Sequence, residues 1–348
     1  MWTSDRIFSE DLKAIEESSF ISWEKFHGKS IFITGVTGLI GYTLACSLLH
    51  YEKKHRTGLK VIALVRKLEL AKEKFSEQLK DGCNLDFVVG TVEDIPDIFQ
   101  NIDYIVHCAC PTNSTYFVEH PVDTIKTIVF GTEKVLELAK QKAVKGMVFL
   151  SSMEVYGQIT TRNVLDESDL GQVDIESTRS SYPLGKRMAE NLCGCYASQY
   201  QVPVSIARLV QTFGPGVSYN DGRVFAYMAR CAMQGEDILL KTSGSKENMY
   251  LYTADAVSAV LLLLTNGHSG KAYNIANTNT YCSVKEMAEL VADAVSQNTI
   301  NVKTNVGGDS SMYRPEGYLN LSTSKMNDLG WKATTNLQEM FLRMIASF

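Results

Sequence analysis

Tyr182 and Lys186 stand four residues apart in the stretch SSYPLGKRMAENL, a spacing that stacks two side chains one turn apart on a helix. A neutral phenol is a weak base. A lysine ammonium beside it favours the phenolate and makes the pair a proton acceptor. Spacing alone does not decide the matter, because Tyr281 and Lys285 repeat it in YCSVKEMAEL. The surroundings separate the two. About 30 residues before Tyr182, an apolar strand-like run emerges into FLSSMEVYG. That places Ser152 at the carboxyl end of a buried strand, where parallel sheets bind their ligands. Its hydroxyl can hydrogen-bond the substrate oxygen whose proton Tyr182 accepts or returns. Lys285 instead falls in the first turn of a helix opened by a capping box, Ser283 reaching Glu286. No comparable strand lies just upstream of Tyr281, so the second pair is read as structural.

A second constellation is TGVTGLIG, which sets Gly35, Gly38 and Gly41 at a strand-to-helix turn. Glycines there let the backbone approach a pyrophosphate, and the helix N-terminus favours its charge. The spacing is GxxGxxG; its weight comes from following the first strand of a βαβ series. NAD-preferring sites carry an acid about 20 residues further on, for the ribose 2′-hydroxyl. Here the second strand ends ALVRK, with Val65 in that place and Arg66 and Lys67 after it. A basic pair suits the 2′-phosphate of NADP. The choice between NAD and NADP stays open at this point.

These residues need a scaffold, and the chain supplies one. SIFITG (30–35), KVIALV (60–65), LDFVVG (85–90), IDYIVHCA (102–109), VKGMVFLSS (144–152) and VPVSIARL (202–209) alternate with helical segments. Short β-branched strands separated by helices imply an α/β fold, a doubly wound parallel sheet of Rossmann type with helices on both faces. Past residue 212 the regularity weakens and Gly and Tyr become commoner. The expected division is an extension over 1–28, a dinucleotide-binding domain over 29–211, and a smaller C-terminal α/β lobe over 212–348. Some segments of that lobe return to the first domain.

Composition excludes other classes. The 348 residues are 45% hydrophobic and carry a formal charge of −5, which argues against nucleic acid or an acidic membrane surface as partner. The mixed run EKKHR (52–56) reads as a solvated face. MWTSDRIFSEDLKAIEESSF has early acids and no apolar core, so a secretion signal is not expected, nor is a membrane span; AVLLLL (259–264) reads as a buried helix. The eight cysteines include two CxC pairs and no CxxC knuckle, which points to reduced thiols in a cytoplasmic protein without a metal site.

Taken together, the glycine turn, Ser152, Tyr182 with Lys186, RLVQTFGPG and the late LGW resemble the extended short-chain dehydrogenase/reductase family. HPVDTIKT, SSMEVYG, YPLGKRMAE and FGPGVSYNDGRV look most like its UDP-glucuronate decarboxylase branch. That resemblance implies catalysis by Ser152, Tyr182, Lys186 and Glu154. It implies cofactor contacts from Gly35, Thr37, Gly38, Leu39, Ile40, Gly41, Arg66, Thr91, Val92, Cys108, Tyr182 and Lys186. It further implies substrate contacts from Ser152, Met153, Gln211, Arg223 and Arg314. Such enzymes oxidise a nucleotide sugar at C4 and return the hydride after decarboxylation, dehydration or epimerisation. The branch leans towards NAD, whereas Arg66 leans towards NADP. By analogy, helices around 117–140 and 181–200 would pair two chains into a homodimer.

Several positions depart from the family pattern. Glu154 fits decarboxylases and 4,6-dehydratases, but Met153 stands where dehydratases place an aspartate. Ile128 replaces a helical asparagine, Asn248 an arginine that grips the pyrophosphate, and Gln211 an asparagine. Alternatives are therefore an NADPH-dependent reductase of a ketone or aldehyde, and a non-catalytic dinucleotide sensor. The sensor reading predicts decay of the Ser–Tyr–Lys set, which is intact.

Overall fold

The computed structural model describes residues 6–112, 114–305 and 317–348. The chain opens with helix α1 (Arg6–Glu16) and a short turn, Trp23–Phe26, then enters strand β1 (Ser30–Thr34). Helix α2 (Leu39–His55), β2 (Lys60–Val65), α3 (Leu68–Lys74), α4 (Ser76–Lys80) and β3 (Leu85–Val89) complete the first half. Strand β4 (Tyr104–His107), α5 (Ser114–Glu119), α6 (Pro121–Gln141), β5 (Gly146–Ser152), α7 (Ser181–Tyr200) and β6 (Val204–Leu209) follow. The remainder carries β7 (Gln211–Phe213), α8 (Val224–Gln234), β8 (Ile238–Leu240), β9 (Glu247–Asn248), β10 (Tyr250–Tyr252), α9 (Thr253–Asn266) and β11 (Ala272–Ile275). It ends with helices at Val284–Leu290, Ser324–Asp328 and Leu337–Ala346.

Seven strands form one parallel sheet in the order β3-β2-β1-β4-β5-β6-β11. The first six reproduce the Rossmann order, whose switch point lies between β1 and β4. The six strand-like runs of the sequence each become a strand of this sheet, trimmed by at most two residues at an end. Strand β11 returns from the C-terminal part to extend the sheet. A β7–β10 pair, a β9 pairing with Cys282–Ser283, and a β8 pairing with Val302–Thr304 lie outside it.

Central strands are buried on both faces, Ile31 to Thr34 and Tyr104 to His107 among them, which is why they read as unbroken apolar runs. Helix α9 is buried from Thr253 to Leu264. With no polar face, it is a core helix, and no helix among the described residues is long and apolar enough to cross a membrane. The expected helix over 117–140 is split, because Pro121 opens α6 at its first position and ends α5 before it. All eight cysteines are free thiols.

Residues 6–28 pack on the core. Phe8, Leu12 and Ile15 of α1 are buried, and Trp23 stacks on Tyr51 at 4.1 Å. Glu16 draws His50, Lys54 and His55 to itself, so part of the EKKHR run anchors the extension as well as facing solvent.

Candidate active site

The glycine turn works because two backbones approach closely. Gly35 has φ +67° and its missing Cβ would lie 2.6 Å from Ala109 N, just past β4. At Gly41 a Cβ would fall 2.4 Å from Gly35 O, so α2 can begin only if that position is bare. Gly38 is the N-cap of α2 and offers no side-chain cap. The helix's first N–H groups are therefore left for an anion. Thr37 and Gly38 are exposed, and Leu39 and Ile40 half-buried; Lys74 Nζ donates to Thr37 O at 2.6 Å. This is a cradle that fits the pyrophosphate of a dinucleotide.

Behind the turn a buried chain of hydroxyls and imidazole locks β1, β4 and α6 together. Ala109 N donates to Thr34 Oγ1 (3.1 Å), which meets His107 Nδ1 at 2.7 Å. His107 Nε2 meets Thr132 Oγ1 at 3.2 Å, and that hydroxyl donates to Ile128 O. The consistent assignment is a neutral imidazole that accepts at Nδ1 and donates at Nε2. Burial, and secondarily the Lys186 ammonium, push its pKa down to about 3.

At the rim of the cradle, Arg66 and Lys67 are exposed at the end of β2, where Val65 is buried. Thr91 Oγ1 accepts from Asp94 N at 3.1 Å, and buried Val92 lies where a Cβ on Gly131 would strike it at 2.7 Å. Cys108 is half-buried; burial pushes its thiol up to about 12 against the pull of Lys186.

Tyr182 and Lys186 are both buried, on the face of α7 that packs on β5. Lys186 Nζ donates to Leu150 O at 2.7 Å and lies 4.6 Å from the Phe149 ring centroid and 5.9 Å from that of Tyr182. A buried ammonium needs such partners. The contact also fixes register: Leu150 is two residues before Ser152, so Tyr182, one turn earlier in α7, comes alongside the end of β5. Ser152 Oγ accepts from Glu154 N at 3.2 Å and caps the turn Met153–Tyr156. Met153 is buried within that turn. Arg187 Nε donates to Val155 O at 2.7 Å, tying α7 to the same turn.

Two neighbours were not among the sequence candidates. Phe117 stacks on Tyr182, with ring centroids 4.3 Å apart and planes inclined by 13°. Arg179 forms a fork with Glu154, Nη1 to Oε2 and Nη2 to Oε1 at 3.2 Å each. Its position three residues before Tyr182 was a usable signal, whereas nothing local marks Phe117.

The other substrate candidates are less convergent. Gln211 Oε1 is buried with no hydrogen-bond partner among the described residues. An orphaned acceptor of this kind is costly unless something else meets it. Arg223 is the N-cap of α8, and its guanidinium is held by Asp221 at 2.7 Å. Arg314 lies outside the described residues. Ile128 is buried on α6, where it faces Gly185 of α7, so an apolar contact replaces any polar one at that place. Asn248 is buried in β9. Tyr281 donates to Glu247, and Lys285 pairs with Glu289 at 3.8 Å, partners that give that pair a structural place.

A Rossmann sheet with a glycine cradle, a strand-end serine and a Tyr–Lys helix defines a dinucleotide-dependent enzyme of the extended short-chain dehydrogenase/reductase type. The model of the NAD dependent epimerase/dehydratase family matches residues 31–276, and the chain belongs to that family. UDP-glucuronic acid decarboxylase 6 of Arabidopsis thaliana is 30% identical over 310 residues, 89% of this chain and 85% of that protein. UDP-glucose 4-epimerase of Thermotoga maritima, solved with UDP-glucose, superposes with a TM-score of 0.74 at 20% identity, over 92% of this chain and 98% of the other. UDP-glucuronic acid 4-epimerase of Bacillus cereus, solved with UDP-glucuronic acid and NAD, gives 0.73 at 18% identity, over 91% and 98%.

Proposed function

We propose that this chain modifies a nucleotide sugar through a transient 4-ketone and returns the hydride to the same molecule, as a decarboxylase or epimerase. The observation that supports the reading is Glu154, whose N–H donates to Ser152 Oγ at the end of β5, with α7, which carries Tyr182, packed against that strand and the turn after it. A nicotinamide dinucleotide supplies a hydride acceptor that can give the hydride back. Tyr182 takes the C4 hydroxyl proton, Lys186 favours its phenolate, and Ser152 hydrogen-bonds the same oxygen. With a ketone at C4, a carboxylate on C5 can leave as carbon dioxide. The C5–C6 bond breaks, its electron pair moves into the ketone as an enolate, and a proton then returns to C5. Dehydration fits less well, because Met153 cannot protonate a leaving hydroxyl. Arg66 and Lys67 lie at the strand end where a 2′-phosphate would sit, which supports acceptance of NADP as well as NAD.

Exposed Val122, Ile125 and Phe130 on α6, with Met188 and Tyr200 on α7, support pairing of these helices with a second copy. The deciding experiment is proton NMR of the purified protein with UDP-, dTDP-, GDP- and CDP-sugars, UDP-glucuronate included, and trace NAD and NADP. Conversion of one sugar far beyond the amount of cofactor is expected. Consumption of NADPH with simple carbonyl compounds, and no sugar conversion, would replace this reading by the reductase.

A further inference from the structure

Arg179 has the form of a ligand-binding guanidinium. Its two bonds to Glu154 are 3.2 Å each, longer than the roughly 2.7–2.9 Å of a well-seated charged pair. The same protein shows what a structural arginine looks like. Arg208 reaches Glu190 at 2.7 Å, Glu167 O at 2.7 Å and Tyr156 Oη at 3.2 Å, with its side chain 6% exposed. Arg179 is 29% exposed, and among the described residues only two of its five N–H donors are engaged. Its guanidinium lies 5.2 Å from the centroid of Phe117, whose ring stacks on Tyr182. Glu154, Arg179 and Phe117 therefore form one continuous wall beside Tyr182, the candidate proton acceptor.

We propose that Arg179 recognises the carboxylate of a hexuronate substrate and is the residue that selects acidic over neutral nucleotide sugars. The inference rests on the nucleotide-sugar reading above. Glu154 alone would repel an anionic sugar; paired with Arg179 it presents no net charge, and the guanidinium offers unused donors to a second carboxylate. Because the pair with Glu154 is long, the incoming carboxylate can share or take over the fork and turn Glu154 towards the sugar ring. Holding a carboxylate charged opposes its departure as carbon dioxide. Arg179 therefore acts on binding, and its loss raises KM without lowering kcat.

The test is calorimetric titration of UDP-glucuronate and of UDP-glucose into the NAD-saturated protein, for the natural chain, Arg179→Gln and Arg179→Lys. The natural chain should prefer UDP-glucuronate. Arg179→Gln should weaken UDP-glucuronate about 10- to 100-fold while UDP-glucose stays within about threefold, and Arg179→Lys should fall between, since it keeps the charge and loses the fork. Retained UDP-glucose binding shows that the variants fold. If the preference for the acid survives Arg179→Gln, or if both ligands weaken equally, Arg179 is structural and the inference is overturned alone. If the natural chain shows no preference for UDP-glucuronate, the uronate reading fails and takes the inference with it.

Discussion

Single side chains carry two separable tests. The hydroxyl of Tyr182 is the group positioned for proton transfer, while its ring is held by Phe117 independently of that hydroxyl. Tyr182→Phe should therefore lower turnover by about 10²- to 10⁴-fold and leave NAD binding, followed by fluorescence, unchanged. Full activity in the variant would remove Tyr182 from the mechanism. His107 makes a test of stability. Its ordinary pKa of 6.5 is held down to about 3 in the fold. Below pH 6.5 the unfolded chain gains a proton that the folded chain refuses, so stability is complete above 6.5 and falls as the pH drops towards 3. The loss is about 1.4 kcal/mol per pH unit. Urea unfolding at pH 7, 6 and 5 should show the natural chain losing this much relative to His107→Gln; parallel curves would contradict the buried neutral imidazole.

Elements come into register through positions that lack a side chain. At Gly41 the obstacle to a Cβ is backbone, the carbonyl oxygen of Gly35 at 2.4 Å, and backbone does not step aside as a flexible side chain does. Gly41→Ala should thus cost about 1–3 kcal/mol through overpacking, visible as a lowered melting temperature, and should weaken dinucleotide binding because α2 moves away from the cradle. An unchanged melting temperature would mean that the turn has slack. Helix α7 meets α6 with Gly185 against Ile128, and α6 meets the segment after β3 with Gly131 against Val92. Where the family resemblance places an asparagine, Ile128 is buried and makes an apolar contact with Gly185.

Across the whole molecule, residues far apart in sequence close one network. Tyr252 Oη donates to Asp11 Oδ2 at 2.7 Å, and Arg343 reaches both, at 2.7 Å to Asp11 Oδ1 and 2.8 Å to Tyr252 Oη. Burial raises the Asp11 carboxyl to about 6. The N-terminal helix is thereby tied to the final helix and to the strand next to Gln211, and serves as part of the core. Association belongs to this scale too. Light scattering should give about twice the chain mass of 38.7 kDa, and Phe130→Glu, which puts a charge on an exposed apolar position of α6, should return it to the single-chain value. A natural chain that scatters as a single copy would rule out the helix pairing.

Period and punctuation in the sequence were enough for β1 to β6, the glycine turn, the capping box at Ser283 and the Tyr182–Lys186 helix. These are local: unbroken apolar runs mark strands buried on both faces, and a four-residue spacing has one meaning on a helix. Only the tertiary structure could pair Arg179 with Glu154 across 25 residues, set Phe117 on Tyr182, and leave Gln211 with an unmet acceptor. It also gave residues 6–28 their place, since Asp11 has no chemistry until Tyr252 and Arg343 come to it. Side-chain contacts between distant segments depend on how helices seat on the sheet, and that seating is decided by packing, which no local pattern records.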